Sequence, residues 1–227
     1  LGTGITYTVS SSETDVGASI TCTATAIDAD LEVMTSSAFV SIDNTDPTAS
    51  NAQISSVSGI FYNDETLTCT ATTGDIDEIP IVSYTWSSNS VNLADTQTID
   101  LTSLSLMPTD SLTCTVDVSD SNGGTAQSSA TETIENRAPS FDSVSISPNA
   151  EVLIISELTC LATVSDPDGE SLSPTYEWFV SGVSISTNYI LQLNNSLVSP
   201  NDTVECIVTV SDGFGGSAAD SSSVSIE

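Results

Sequence analysis

The chain contains no lysine, no histidine and a single arginine, Arg137, among 227 residues. Those absences remove whole classes of chemistry. Without histidine there is no Ser-His-Asp or Cys-His nucleophilic set. Without lysine there is no Schiff-base amine, no Walker phosphate-binding lysine and no Lys-Asn isopeptide cross-link. Basic surface is missing too: 31 acidic residues leave a formal net charge of −30, which repels phosphate backbones and anionic lipid and so argues against nucleic acid and membrane surfaces as partners. Aromatic residues make up only 5% of the chain; a carbohydrate-binding module of a secreted enzyme, the third-ranked expectation, calls for an exposed aromatic platform, whereas Trp86 and Trp178 read better as core. No run approaches the roughly 20 apolar residues that span a bilayer, and no signal peptide or initiator methionine is present.

What is there is a repeat. Cys22, Cys114 and Cys206 are spaced by 92 residues, as are Trp86 and Trp178, Pro47 and Pro139, and Ile42, Ile134 and Ile226. A fixed period of this length signals an array of small domains. The linkers Ile42-Asp43-Asn44-Thr45-Asp46-Pro47 and Ile134-Glu135-Asn136-Arg137-Ala138-Pro139 place the cuts after Asp43 and Glu135. The expected organisation is a truncated C-terminal half-repeat over 1–43 and full repeats over 44–135 and 136–227. Because Leu1 falls inside a repeat, the sequence reads as a slice of a longer, exported protein.

Each full repeat holds two cysteines, Cys69 with Cys114 and Cys160 with Cys206, and a tryptophan 17 or 18 residues after the first. Around the second cysteine, Val204, Cys206, Val208 and Val210 alternate with Thr203, Glu205, Ile207 and Thr209, the period-two pattern of a half-buried strand. No window has helical periodicity, and clusters such as Ser119-Asp120-Ser121-Asn122-Gly123-Gly124 punctuate the strands. This order of strand-Cys, strand-Trp and strand-Cys resembles the immunoglobulin-like sandwich. Ile20, Leu112 and Val204 replace the tyrosine that antibody-type domains carry two residues before the second cysteine. The phrases Asn136-Arg137-Ala138-Pro139, Ser165-Asp166-Pro167-Asp168-Gly169 and Tyr176-Glu177-Trp178 are similar instead to the Ig-like, PKD-like and cadherin-like repeats of large bacterial and archaeal surface proteins.

The resemblance implies an all-β fold of tandem Ig-like antiparallel β-sandwiches, arranged as a rod, each with an intradomain disulfide between strands B and F. The disulfides would be Cys69–Cys114 and Cys160–Cys206; free thiols buried beside tryptophan are the other reading. Cys22 takes the second-cysteine position, and its natural partner lies outside the sequence. Closing loops of this size stabilises a domain by about 4 kcal/mol on the chain-entropy estimate, and regular cysteines of this kind fit an extracellular, disulfide-permitting compartment.

Acidic residues recur in the loops expected between strands B and C and between F and G: Asp75, Asp77, Glu78 and Asp120 in one repeat, Asp166, Asp168, Glu170 and Asp212 in the next. Sandwich topology brings both loops toward the incoming linker, with Asp43 and Asn44 or Glu135 and Asn136 facing them. Two carboxylates about 4 Å apart repel by roughly 4 kcal/mol at an effective dielectric near 20. Calcium, which takes six to eight oxygens in irregular geometry, is the cation such a set fits; ordinary Asp-Gly turns are the other reading. Carboxylate pairs can also serve as general acid and base, but recurrence in both repeats marks them as a structural device. Asn194 and Asn201 sit in glycosylation triplets. The expected role is a stalk or adhesin shaft of an extracellular cell-surface protein, its partners being neighbouring repeats. A self-assembling filament or sheath built from copies of the chain is the second expectation.

Overall fold

The computed structural model describes residues 3–12 and 14–227, and every sheet in it is antiparallel. The chain divides into two compact units. The first comprises Leu1–Gly59, Thr66–Asp100 and Ser111–Glu132, the second Ile60–Glu65, Leu101–Asp110 and Thr133–Glu227.

The first unit opens with a hairpin of β1 (Ser19–Ile27) and β2 (Val33–Ser41), a two-stranded sheet on its own. A sandwich follows. One sheet has the order β3 (Thr48–Ser56), β4 (Thr66–Gly74), β7 (Thr98–Asp100). The other runs β6 (Val91–Ala94), β5 (Ile81–Ser88), β8 (Ser111–Ser119), β9 (Thr125–Thr133). Alternation decides what is buried: Leu67 and Cys69 on β4, and Leu112, Cys114, Val116 and Val118 on β8, have almost no exposure, while Thr68, Thr113, Thr115 and Asp117 between them take the outer face. A bulge between Ser50 and Gln53 breaks the register of the edge strand β3.

The second unit repeats the design. One sheet is β10 (Ser140–Ser147), β11 (Glu157–Ser165), β14 (Ile190–Gln192); the other is β13 (Val183–Ser186), β12 (Thr175–Val180), β15 (Thr203–Ser211), β16 (Ser217–Ser225). Its core joins Leu158, Cys160, Trp178, Val204, Cys206 and Val208. In each sandwich a disulfide ties the two sheets together, Cys69 to Cys114 and Cys160 to Cys206. The tryptophan stands directly across from the second cysteine, Trp86 against Cys114 and Trp178 against Cys206. Both rings are fully buried. Their indole N–H groups donate to the carbonyls of Thr96 and Asn188, themselves 92 residues apart, so neither ring leaves a polar atom unpaired.

Strands A, B and E face C′, C, F and G, with a B–F disulfide and a buried tryptophan on C. Each sandwich is immunoglobulin-like. No helix among the described residues is long and apolar enough to cross a membrane.

Candidate functional site

Strand order puts the loop between β4 and β5, the loop between β8 and β9, and the stretch entering β3 at one place in the first unit, and their counterparts together in the second. Two loop clusters result, built on the same clasp. Asp120 follows β8, where the chain turns back into β9 through Gly123 at φ 99°. One of its oxygens accepts the backbone N–H groups of Asn122 and Gly124, and the other accepts the Asn44 amide at 2.8 Å. Asp212 follows β15 and does the same, taking the N–H groups of Phe214 and Gly216 and the Asn136 amide at 2.9 Å. Each carboxylate has its donors arranged for the ionised form. The asparagine bond, together with the backbone donors, holds both below the usual aspartate range against the opposing effect of burial.

The clasps leave no room for a side chain behind them. A Cβ at Gly124 would collide with Asp120 Oδ2 and lie 2.7 Å from Asp46 Oδ1 and 2.9 Å from the Pro47 ring. At Gly216 it would collide with Asp212 Oδ2 and lie 2.8 Å from the Ala138 Cα. Glycine is required at both by close approach.

Beside each clasp, three carboxylates converge. In the first unit Asp75, Glu78 and Asp120 present oxygens within 4.8 Å of one another, and in the second Asp166, Asp168 and Glu170 do. Among the expected ligands, Asp77 lies outside the first group and accepts the Thr45 N–H at 2.6 Å. Asp212 lies outside the second and is held by Asn136. Asp43 and Glu135 are exposed and belong to neither group. Asn194 is exposed and accepts its own Ser196 N–H at 2.9 Å, and Asn201 is exposed with φ 72°.

Asn44 Oδ1 and Asp75 Oδ2 in the first cluster, and Asn136 Oδ1, Asp166 Oδ2 and both Glu170 oxygens in the second, are shut off from solvent without a hydrogen-bond donor. Equivalent acceptors are therefore orphaned in both repeats, where leaving a buried polar group unpaired costs about 1–3 kcal/mol each. Burial pushes the Glu170 carboxyl up to about 7; once protonated it can also donate to Asp166, and the charges of Asp166 and Asp168 add to the shift.

Only one of the two linkers carries a basic residue. Arg137 occupies the position that Thr45 holds one period earlier. Its backbone N–H donates to Asp168 Oδ2 at 2.6 Å, as the Thr45 N–H donates to Asp77. Its guanidinium donates to Asp168 Oδ1, Asp64 Oδ2, the Asn63 side-chain Oδ1 and the Pro167 backbone carbonyl, and lies 4.5 Å from the centre of the Tyr62 ring. Burial alone would lower the guanidinium; its bonds to Asp64 and Asp168 outweigh that and hold it above its ordinary value. Asp168, with a fully buried side chain, thereby has its charge paired.

No family model matches the chain, and no curated protein does. Solved structures do. A 1.5-MDa bacterial ice-binding adhesin, described for its host cell surface retention, is 14% identical with a TM-score of 0.38, over 93% of this chain and 74% of that one. The tetra-tandem repeat of the extending region of a large adhesion protein is 21% identical with a TM-score of 0.35, over 93% and 57%. Sidekick-1 immunoglobulin domains 1–4 are 16% identical with a TM-score of 0.37, over 89% and 57%. At these identities and scores the likeness assigns no family.

Proposed function

We propose that the chain is a structural or adhesive repeat segment, a stalk or adhesin shaft, of a large extracellular microbial surface protein. Its repeats would be 1–43, 44–135 and 136–227. The observation that carries this reading is a pair of sandwiches, each closed by an inter-sheet disulfide and each bearing the same Asn–Asp clasp where its first strand begins. Such a device holds chain ends in place and turns over no substrate, and the absence of histidine and lysine from the sequence fits it.

Calcium is proposed at the two carboxylate clusters, with Asn44, Asp75, Glu78 and Asp120 as ligands in one and Asn136, Asp166 and Glu170 in the other. The orphaned, solvent-free oxygens fit a hard cation, which would supply the positive charge that no donor provides. The partners would be adjoining repeats of the same protein.

Pulling single molecules by their ends tests the mechanical reading. Each sandwich is expected to unfold in one discrete step. Under reducing conditions the length released should grow by the 45 or 46 residues that each disulfide encloses, about 160 Å per sandwich at full extension. Gradual extension without steps, or equal lengths with and without reductant, would overturn it. Calcium titration calorimetry on the chain and on Asp75→Asn and Asp166→Asn variants tests the ligands: heat that survives both substitutions sinks the assignment.

A further inference from the structure

The β1–β2 hairpin is half of something. Its register, Ser19 opposite Ser41 and Cys22 opposite Ala38, is that of β15 on β16, where Thr203 faces Ser225 and Cys206 faces Ser222. Every one of those positions is displaced by two repeat periods, so β1 and β2 are F and G strands of the same fold. In the second unit, however, β15 has β12 on its other edge and the opposite sheet against its inner face. On β1 the other edge carries no strand among the described residues, and the inner face is largely uncovered. Val204, Cys206 and Val208 are wholly buried, while their counterparts Ile20, Cys22 and Ala24 are half-buried or exposed; Val224 is 7% exposed and its counterpart Val40 is 59% exposed. A two-stranded hairpin is at best marginally stable by itself.

A second feature indicates what belongs there. Residues 6–8 occupy the repeat positions of β14, the E strand, and Tyr7 corresponds to Leu191, which is 4% exposed in the second sandwich. Tyr7 lines one cleft with Ile20 and Cys22, so the E-equivalent segment already lies against the F-equivalent strand. Only the space of strands A, B, C and C′ is unfilled, and in the sandwiches strand B brings a cysteine to that point.

We propose that the open face and edge of the hairpin dock an A–B–C–C′ half-sandwich of this same repeat type, continuous with the 3–8 segment as C′ is continuous with E in the two sandwiches. Its strand-B cysteine pairs with Cys22. The bond forms as the two thiols give up two protons and two electrons to a small disulfide such as oxidised glutathione, which is reduced to two thiols. The alternating face of β1 and its free backbone edge supply the specificity, and the disulfide locks it.

The test joins a second copy of residues 136–184 ahead of Leu1, which restores the 92-residue spacing and places a cysteine 46 residues before Cys22. In oxidised glutathione, the expected result is loss of both titratable thiols of the extended chain, Cys22 and the added cysteine, and slowing of amide exchange over Ile20–Ala26 by on the order of 100-fold. Cys22→Ser in the extended chain should keep most of that slowing, because docking precedes the bond. A thiol that stays titratable with unchanged exchange overturns the proposal. So does an unextended chain that protects Ile20–Ala26 by dimerising through Cys22, which would make a second copy the occupant.

Discussion

The loop cluster around Asp120 and the one around Asp212 are the same clasp with different charge compensation. Both hold an aspartate by one asparagine amide and two backbone N–H groups. In the first, Glu78 is engaged by the Ser121 N–H and hydroxyl, and position 45 is a threonine. In the second, Glu170 has no donor at all, and Arg137 brings the sequence's one basic side chain onto buried Asp168. Hydrogen-bond geometry repeats because the strands that carry it repeat. Charge does not, because a single residue in a linker can neutralise a buried carboxylate without disturbing the fold.

Removing Arg137 should produce the largest contrast. Arg137→Met leaves Asp168 buried without its partner and should destabilise the second unit by about 3 kcal/mol, whereas Thr45→Met at the equivalent position should change stability by less than about 0.5 kcal/mol. Denaturant unfolding of the two variants checks this, and equal losses would mean that Arg137 is not the compensating charge.

The glycines give a middle-sized effect. Gly216→Ala drives a methyl against the Ala138 backbone and should cost about 3 kcal/mol; Gly124→Ala meets the Asp120 and Asp46 carboxylates and the Pro47 ring rather than backbone, and should cost less, about 2 kcal/mol. The order of the two melting temperatures is the readout.

The smallest effects are those of pH, and they have opposite signs. Glu170 is raised in the folded state from 4.5 to about 7, so the native chain binds more protons than the unfolded one between those values. Its contribution is fully present below about pH 4.5 and is lost as pH rises through 7. Asp120 and Asp212 are lowered from 3.8, so their contribution is present above that value and disappears as pH falls below it. In chelator, Glu170→Gln should flatten the decline between pH 4.5 and 7, and Asn136→Ala should lower stability above about pH 4 and flatten the decline below it. Thermal melts across that range would separate the two.

Strand identity was open to reading from the chain because alternation on β4, β8, β11 and β15 is local and the 92-residue spacing puts cysteine and tryptophan in register. Leu112, Cys114 and Val116 are buried, as are Val204, Cys206 and Val208 one period later. The clusters were legible only as composition. That Asn44 pairs with Asp120 and Asn136 with Asp212, across 76 residues each, depends on how two loops and a linker meet, and no local pattern encodes it. The same holds for the partners of Arg137: nothing near it in sequence points to Tyr62, Asn63 or Asp64. The recurrence of asparagine at 44 and 136 was the available signal, since a residue kept at the same phase of two otherwise divergent linkers has a matching partner in both.

The lack of basic residues has a consequence outside folding. A protease that cuts after lysine or arginine finds one bond in 227 residues, Arg137–Ala138. The side chain it would have to seat in its specificity pocket is 22% exposed and held by two carboxylates, an amide oxygen, a carbonyl and an aromatic face. Digestion must wait until that latch releases, so the rate of a single cut counts how often the second unit opens.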